Sequence, residues 1–153
     1  MKVRQAVEKD AFEISGFLEE LKALKKRNLP CDQDFVRNHY IDHIDNIQCS
    51  VAEDERGKIL GLQILKVASE TNPYGVSVGW GIIGTHVRPN ATRRGVGKAL
   101  FSASREAAKA VGLKKIDATI GDNNPDALAY YEAVGFRTYR TPDGKVCKCF
   151  EVS

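Results

Sequence analysis

The sequence predicts one mixed α/β domain, and three observations carry that expectation. Apolar spacing follows a helical period up to about residue 45 and strand-like runs from Ile47 onward. A strand, helix, strand succession from Trp80 to Ile120 reads as a βαβ unit with parallel neighbours and a right-handed crossover. The chain then closes with two short strands joined over Asp143-Gly144, and such hairpins bring antiparallel pairs.

Val3–Val7 reads as a first strand. Glu8 to about Lys25 follows as a helix with Ala11, Ile14, Leu18 and Leu21 on one stripe. Pro30 separates it from a second helix, about Asp32 to Asp45, where Phe35, Val36, Tyr40 and Ile44 recur at helical spacing behind an acidic start. Strands are then expected at Gln48–Ala52 and Ile59–Val67, joined by a turn near Glu55-Arg56-Gly57. After the loop around Asn72-Pro73-Tyr74-Gly75 comes an apolar strand ending at Val87. A turn rich in glycine and arginine leads from it into a helix carrying Ala99, Leu100, Ala103, Ala107 and Val111, which Gly112 stops. Lys114–Ile120 alternates as a strand. Asn124-Pro125-Asp126 has the cap, first-turn proline and acid of a helix start, and Gly135 its stop. Phe136–Arg140 and Lys145–Val152 form the closing hairpin.

At 153 residues the chain suggests a single domain, 1–153, without linker or repeat. Its size allows roughly 68–70% of the unfolded surface to be buried around one core. Hydrophobic residues make up 42% and charged residues 28%, with apolar runs of only a few residues, so no membrane span is expected. Met1 to Glu8 lacks the apolar core of a secretory signal, so a cytoplasmic protein is expected. Cys31, Cys49, Cys147 and Cys149 show no Cys-x-x-Cys spacing and are read as thiols. His39 and His43 stand one helical turn apart, but Tyr40 occupies the place of a zinc protease's glutamate, so no metal site is expected. A net charge of +3, whose one dense basic run ends a helix, does not imply nucleic acid.

The chemistry is concentrated between Pro89 and Phe101. Gly95 and Gly97 permit a close backbone approach. Successive N–H groups at a helix start make an anion nest, and Arg93, Arg94 and Lys98 add full charges beside it. The turn therefore suits phosphate. It is not a nucleotide P-loop, because Thr92 and Ala99 stand where glycine and Ser/Thr are needed. It is not a dinucleotide fingerprint either, because Leu100 replaces the third glycine.

Two blocks of residues, in order and suitably separated, resemble the GNAT-type (Gcn5-related) N-acetyltransferases. The first is Val87-Arg88-Pro89 followed by Arg93 to Leu100; the second runs from Asn124-Pro125-Asp126-Ala127 through Tyr131 to Gly135-Phe136. The N-terminal third agrees only in its pattern of elements. The resemblance implies a mostly antiparallel central sheet containing the parallel βαβ unit, with helices on both faces. It also implies acetyl-CoA as cosubstrate and transfer of the acetyl group directly to an amine. One departure is Thr92, where the family's loop usually begins with Gln or Arg. Its shorter hydroxyl can still donate to phosphate.

On that resemblance, the main chain of Thr85, His86 and Val87 would pair with the pantetheine amides as an added strand does. The diphosphate would meet Thr92, Arg93, Arg94, Gly95, Val96, Gly97 and Lys98, and Asn124 would add a hydrogen bond. Tyr131 matches the family's tyrosine and would be the general acid toward the departing thiolate, with Tyr130 as its packing neighbour. An acceptor ammonium at a pKa near 10.4 must lose a proton, which at neutral pH costs roughly 4–5 kcal/mol. His86 is the expected base, with acids of the first two helices as alternatives. The acceptor, a small amine, amino acid, antibiotic or protein N-terminus, should meet residues 23–34 and 70–76. The family makes a homodimer plausible. A non-catalytic acyl-CoA-binding sensor or interaction module of the same fold is the competing expectation.

Overall fold

Seven strands form one sheet in the computed structural model, which describes residues 1–92 and 94–153. They are β1 (Lys2–Gln5), β2 (Asn46–Glu53), β3 (Ile59–Val67), β4 (Gly81–Val87), β5 (Lys115–Gly121), β6 (Arg137–Arg140) and β7 (Lys145–Glu151). Their order across the sheet is β1-β2-β3-β4-β5-β7-β6, antiparallel throughout except for the parallel pair β4–β5. The mostly antiparallel sheet with its parallel unit is thus as expected from the resemblance.

Helices cover two faces. α1 (Ala11–Ala23) and α2 (Gln33–Phe35, continued by a π-helical turn Val36–Ile41) cover β2 and β3 with Ile14, Phe17, Leu18, Val36 and Tyr40 against Val51, Leu62 and Ile64. α3 (Val96–Ala110) and α4 (Pro125–Val134) cover the other face, where Phe101, Ala108, Tyr131 and Phe136 pack on Ile83, Ile116, Ala118, Ile120 and Phe150.

Two expected elements need correction. The first strand stops at Gln5, because Asp10 accepts the N–H of Val7 at 2.8 Å and turns the chain into α1. The second helix ends at Ile41, short of Asp45. Asp42 N–H reaches back five residues to Arg37 O (2.8 Å), and the Asn46 side chain ties off the carbonyls of Tyr40 and Ile41. A π turn is wider than an α turn, which shifts the apolar stripe out of phase. Ile44, expected on that stripe, is 94% exposed.

The feature that positions the site is how β4 and β5 pair. They bridge only at Gly81–Ile116 and Ile82–Asp117, both at the N-terminal ends of seven-residue strands, and part beyond. The register of β4 on its other neighbour, β3, runs unbroken from Val67–Gly81 to Gly61–Val87. Ala68 N–H bonds Trp80 O and Arg88 N–H bonds Leu60 O at the two ends of that ladder (both 2.8 Å). Antiparallel alternation then turns the main chain of Gly84 and His86 toward β3, and that of Thr85 and Val87 toward the gap.

Candidate active site

The gap between β4 and β5 is floored on the α3/α4 side by a buried polar network. Gln63 of β3, fully buried, donates from Nε2 to Thr85 Oγ1 (2.9 Å) and Tyr130 Oη (3.0 Å), while its Oε1 accepts from Ser104 Oγ (2.6 Å). Tyr130 in turn donates to Gly97 O at 2.7 Å. Both amide hydrogens of Gln63 are thereby used, which fixes the side chain's orientation. Tyr131 Oη lies 2.8 Å from Thr85 Oγ1. Since Thr85 already accepts from Gln63, its own hydrogen is free to go to Tyr131. In that arrangement the Tyr131 proton remains available for another acceptor. Tyr131 is 5% exposed, and burial raises its phenol well above the usual tyrosine range; burial likewise pushes Tyr130 up to about 12.

The glycine-rich turn stands at the open end of the fork. Gly95 caps α3 in the left-handed conformation (φ 79°), and a Cβ there would meet nothing within 4 Å. Val96, Gly97 and Lys98 begin the helix, so their N–H groups have no intrahelical carbonyl partner. Arg94 and Lys98 are exposed beside them, and Thr92, also exposed, donates weakly to Pro89 O at 3.4 Å. Arg93 lies outside the described residues. Gly97 has a different cause from the one expected. A Cβ there would come within 2.5 Å of the Tyr130 ring, so its missing side chain seats α4 against α3.

His86 faces the opposite side of the sheet, toward α1 and α2, with its ring 5.3 Å from that of Tyr40. Its main chain turns to β3, so of the three residues expected to form an added strand only Thr85 and Val87 present theirs to the gap. Burial first and the nearby Arg27 charge second pull the imidazolium pKa down to about 3. An imidazole so held is a weak base. The acids of the first two helices are largely engaged elsewhere. Glu13 and Glu20 clamp Arg88, which also bonds Ile59 O and stacks over Phe17; Asp10 holds Arg4, Asp34 pairs with Arg37, and Asp32 caps Phe35.

Asn124 uses its side-chain oxygen to cap α4 at Ala127 N–H (3.2 Å), and is otherwise exposed at the helix start. His39 stacks on Phe35, while His43 Nδ1 accepts from Asp45 N–H, so the two histidines serve separate contacts. The loop expected to meet the acceptor is tied across the sheet, because Arg140 Nη2 donates to Tyr74 O at 2.6 Å. Two residues at the fork were not read from the sequence: Gln63, inside an apolar run, and Asp117, between Ile116 and Ala118. A polar residue interrupting a strand otherwise buried on both sides was the available signal.

The family model for the acetyltransferase (GNAT) family matches residues 7–136. A comparison with curated protein sequences gives no match. Among solved structures, a GCN5-related N-acetyltransferase from Kribbella flavida is similar with a TM-score of 0.79 at 20% identity, covering 98% of this chain and 96% of that one. A GNAT-family acetyltransferase from Staphylococcus aureus Mu50 reaches 0.79 at 14% identity, covering 99% of each chain. An acetyltransferase structure from Salmonella typhimurium, solved with its cofactor acetyl-CoA, reaches 0.71 at 15% identity, covering 99% and 94%. These likenesses concern the fold, whereas the family match spans most of the sequence, glycine-rich turn and Tyr131 included: the chain belongs to the GNAT acetyltransferase family.

Proposed function

We propose that this chain is an acetyl-CoA-dependent N-acetyltransferase that moves the acetyl group from the thioester directly to a primary amine. Acetyl-CoA is the acetyl donor of the family. The observation that carries the reading is the forked β4–β5 pair, with Thr85 and Val87 main-chain groups facing the gap and the Tyr131 hydroxyl beside them. The residues fit the donor. Those two strand positions would hold the pantetheine amides, and the α3 N-terminus with Thr92, Arg94, Gly95, Val96, Gly97 and Lys98 would hold the diphosphate, with Arg93 and Asn124 as further contacts.

The donor supplies an activated acyl group on a sulfur leaving group. Tyr131 is then the donor to that sulfur. A thiol of pKa near 8.5 is a weaker base, as thiolate, than a phenolate near 10, so complete proton transfer runs uphill by at least about 2 kcal/mol. The phenol therefore acts chiefly as a hydrogen bond that strengthens as sulfur gains charge. Its raised pKa keeps the proton in place until then. His86, nearly always neutral at working pH, serves better as a wall of the acceptor side than as a proton store.

Free CoA release from acetyl-CoA, followed with spermidine, methionine, kanamycin and a tetrapeptide with a free amino end, tests this reading. Amine-dependent release is expected with at least one of them. Release that no amine raises above the spontaneous hydrolysis of acetyl-CoA favours the non-catalytic acyl-CoA-binding module instead. Tyr131→Phe should lower turnover about 10- to 1000-fold with acetyl-CoA affinity nearly unchanged. An unaltered rate removes Tyr131 from the mechanism.

A further inference from the structure

The acceptor's proton still needs a destination, and the structure offers one on β5. Asp117 is completely buried and forms, with Ile82, the last bridge before the strands part. Its neighbours Ile116 and Ala118 belong to the α3/α4 core, so strand alternation turns the carboxylate to the opposite face, the one that carries His86 and Tyr40. Oδ1 accepts from Thr119 Oγ1 (2.7 Å) and Oδ2 from the Tyr139 phenol of β6. Tyr139 is 40% exposed and so connects the buried carboxylate to the surface, with Trp80 beside its ring at 5.4 Å.

No cation pairs directly with the carboxylate among the described residues, and the nearest, Arg140, reaches it only through the Tyr139 phenol. Arg140 bonds the Tyr139 oxygen and Tyr74 O, Lys115 lies over the Trp80 ring, and Cys147, Cys149 and Tyr131 are the other titratable neighbours. Among the described residues none makes an ion pair with Asp117. A buried carboxylate whose direct donors are both neutral hydroxyls can still take a cation as a direct partner. Room for one lies alongside on β4, where a Cβ on Gly84 would meet nothing within 4 Å.

Resting on the acetyltransfer reading, we propose that Tyr139 and Asp117 form the proton-accepting end of the acceptor site, which takes a primary ammonium group. The ammonium directs one N–H to the Tyr139 oxygen, taking the place of the long 3.2 Å bond from Arg140 Nε. As that N–H bond breaks, a new O–H bond forms on Tyr139, while the original phenol proton moves to Asp117 Oδ2. The amine gains its lone pair, the phenol is regenerated, and the positive charge of the ammonium is cancelled by the carboxylate. Tyr139 touches the acceptor; Asp117 acts through it.

The pH dependence of kcat/KM, measured from pH 6 to 10 with whichever of the four amines the wild type acetylates, tests the relay. Asp117→Asn should reduce kcat/KM at pH 7 about 100-fold or more, and Tyr139→Phe about 10-fold or more. Both deficits should shrink as pH approaches the amine's own pKa, because free amine needs no base, and KM for acetyl-CoA should stay unchanged. A deficit equal at every pH, or none, overturns the relay. Tyr139→Phe, at a half-exposed position, keeps the test decisive should Asp117→Asn fail to fold. A wild type that acetylates no amine sinks the acetyltransfer reading and this one together, whereas an active wild type with unshifted variant profiles sinks this one alone.

Discussion

At the scale of single residues, two glycines two positions apart are required for different reasons. Gly95 holds a left-handed conformation over open space, whereas Gly97 is helical and pressed against the Tyr130 ring. Replacing Gly95 by valine should therefore reduce acetyl-CoA affinity, by filling the approach to the α3 amides and straining the turn by about 1–3 kcal/mol. Isothermal titration measures this, and unchanged affinity would count against the phosphate turn. Gly97→Ala should instead act on stability, since overpacking against Tyr130 costs about 1–3 kcal/mol. A thermal midpoint equal to that of the wild type would contradict the packing role. The sequence marks both residues as glycine in a basic turn. It does not reveal that one of them answers to a ring thirty-three positions away.

At the scale of elements, β3, β4, α3 and α4 meet through one side chain. Gln63 joins Ser104 of α3, Thr85 of β4 and Tyr130 of α4, and through Thr85 it connects to Tyr131. Gln63→Leu should destabilise the fold, because each buried hydroxyl left without its partner costs about 1–3 kcal/mol. Adding Ser104→Ala should recover part of that loss, since removing both partners of a buried bond is far less costly than removing one. Chemical denaturation of the single and double variants gives the coupling, and strictly additive losses would argue against a shared network. On the other face Arg88 plays a comparable part, joining α1 through Glu13 and Glu20 to the end of β4. The motif around Arg88 was legible, but its ion pairs were not, because Glu13 and Glu20 are some seventy residues distant in the chain.

At the scale of the whole molecule, the candidate site draws side chains from both faces of the sheet. Thr85 and Tyr131 lie on the α3/α4 face and His86 and Asp117 on the other, either side of the fork between β4 and β5. Burial of His86 also couples the fold to pH. Its folded pKa is depressed to about 3 from 6.5, so between those values the unfolded chain takes up a proton that the folded chain refuses. Stability is then complete above pH 6.5 and declines on acidification toward 3, by at most about 1.4 kcal/mol per pH unit from this group. Asp10, lowered against the pull of its own burial by Arg4 and the Val7 N–H, adds a loss only at more acid pH, below the usual carboxylate range. His86→Gln should flatten the decline between pH 6.5 and 4 in urea unfolding; an identical pH dependence in both proteins would remove His86 from that balance. The element order, the glycine-rich turn before α3, the helix caps at Asn124 and Gly135, and the place of Tyr131 on α4 were legible in the sequence, because each rests on local spacing or backbone preference. Only the tertiary structure decided which main-chain groups of β4 face the gap, why Gly97 is glycine, how weak a base His86 is, and that a carboxylate lies buried where the strands part. Those depend on strand register and on side chains brought together from distant parts of the chain, and neither is encoded in any short stretch of residues.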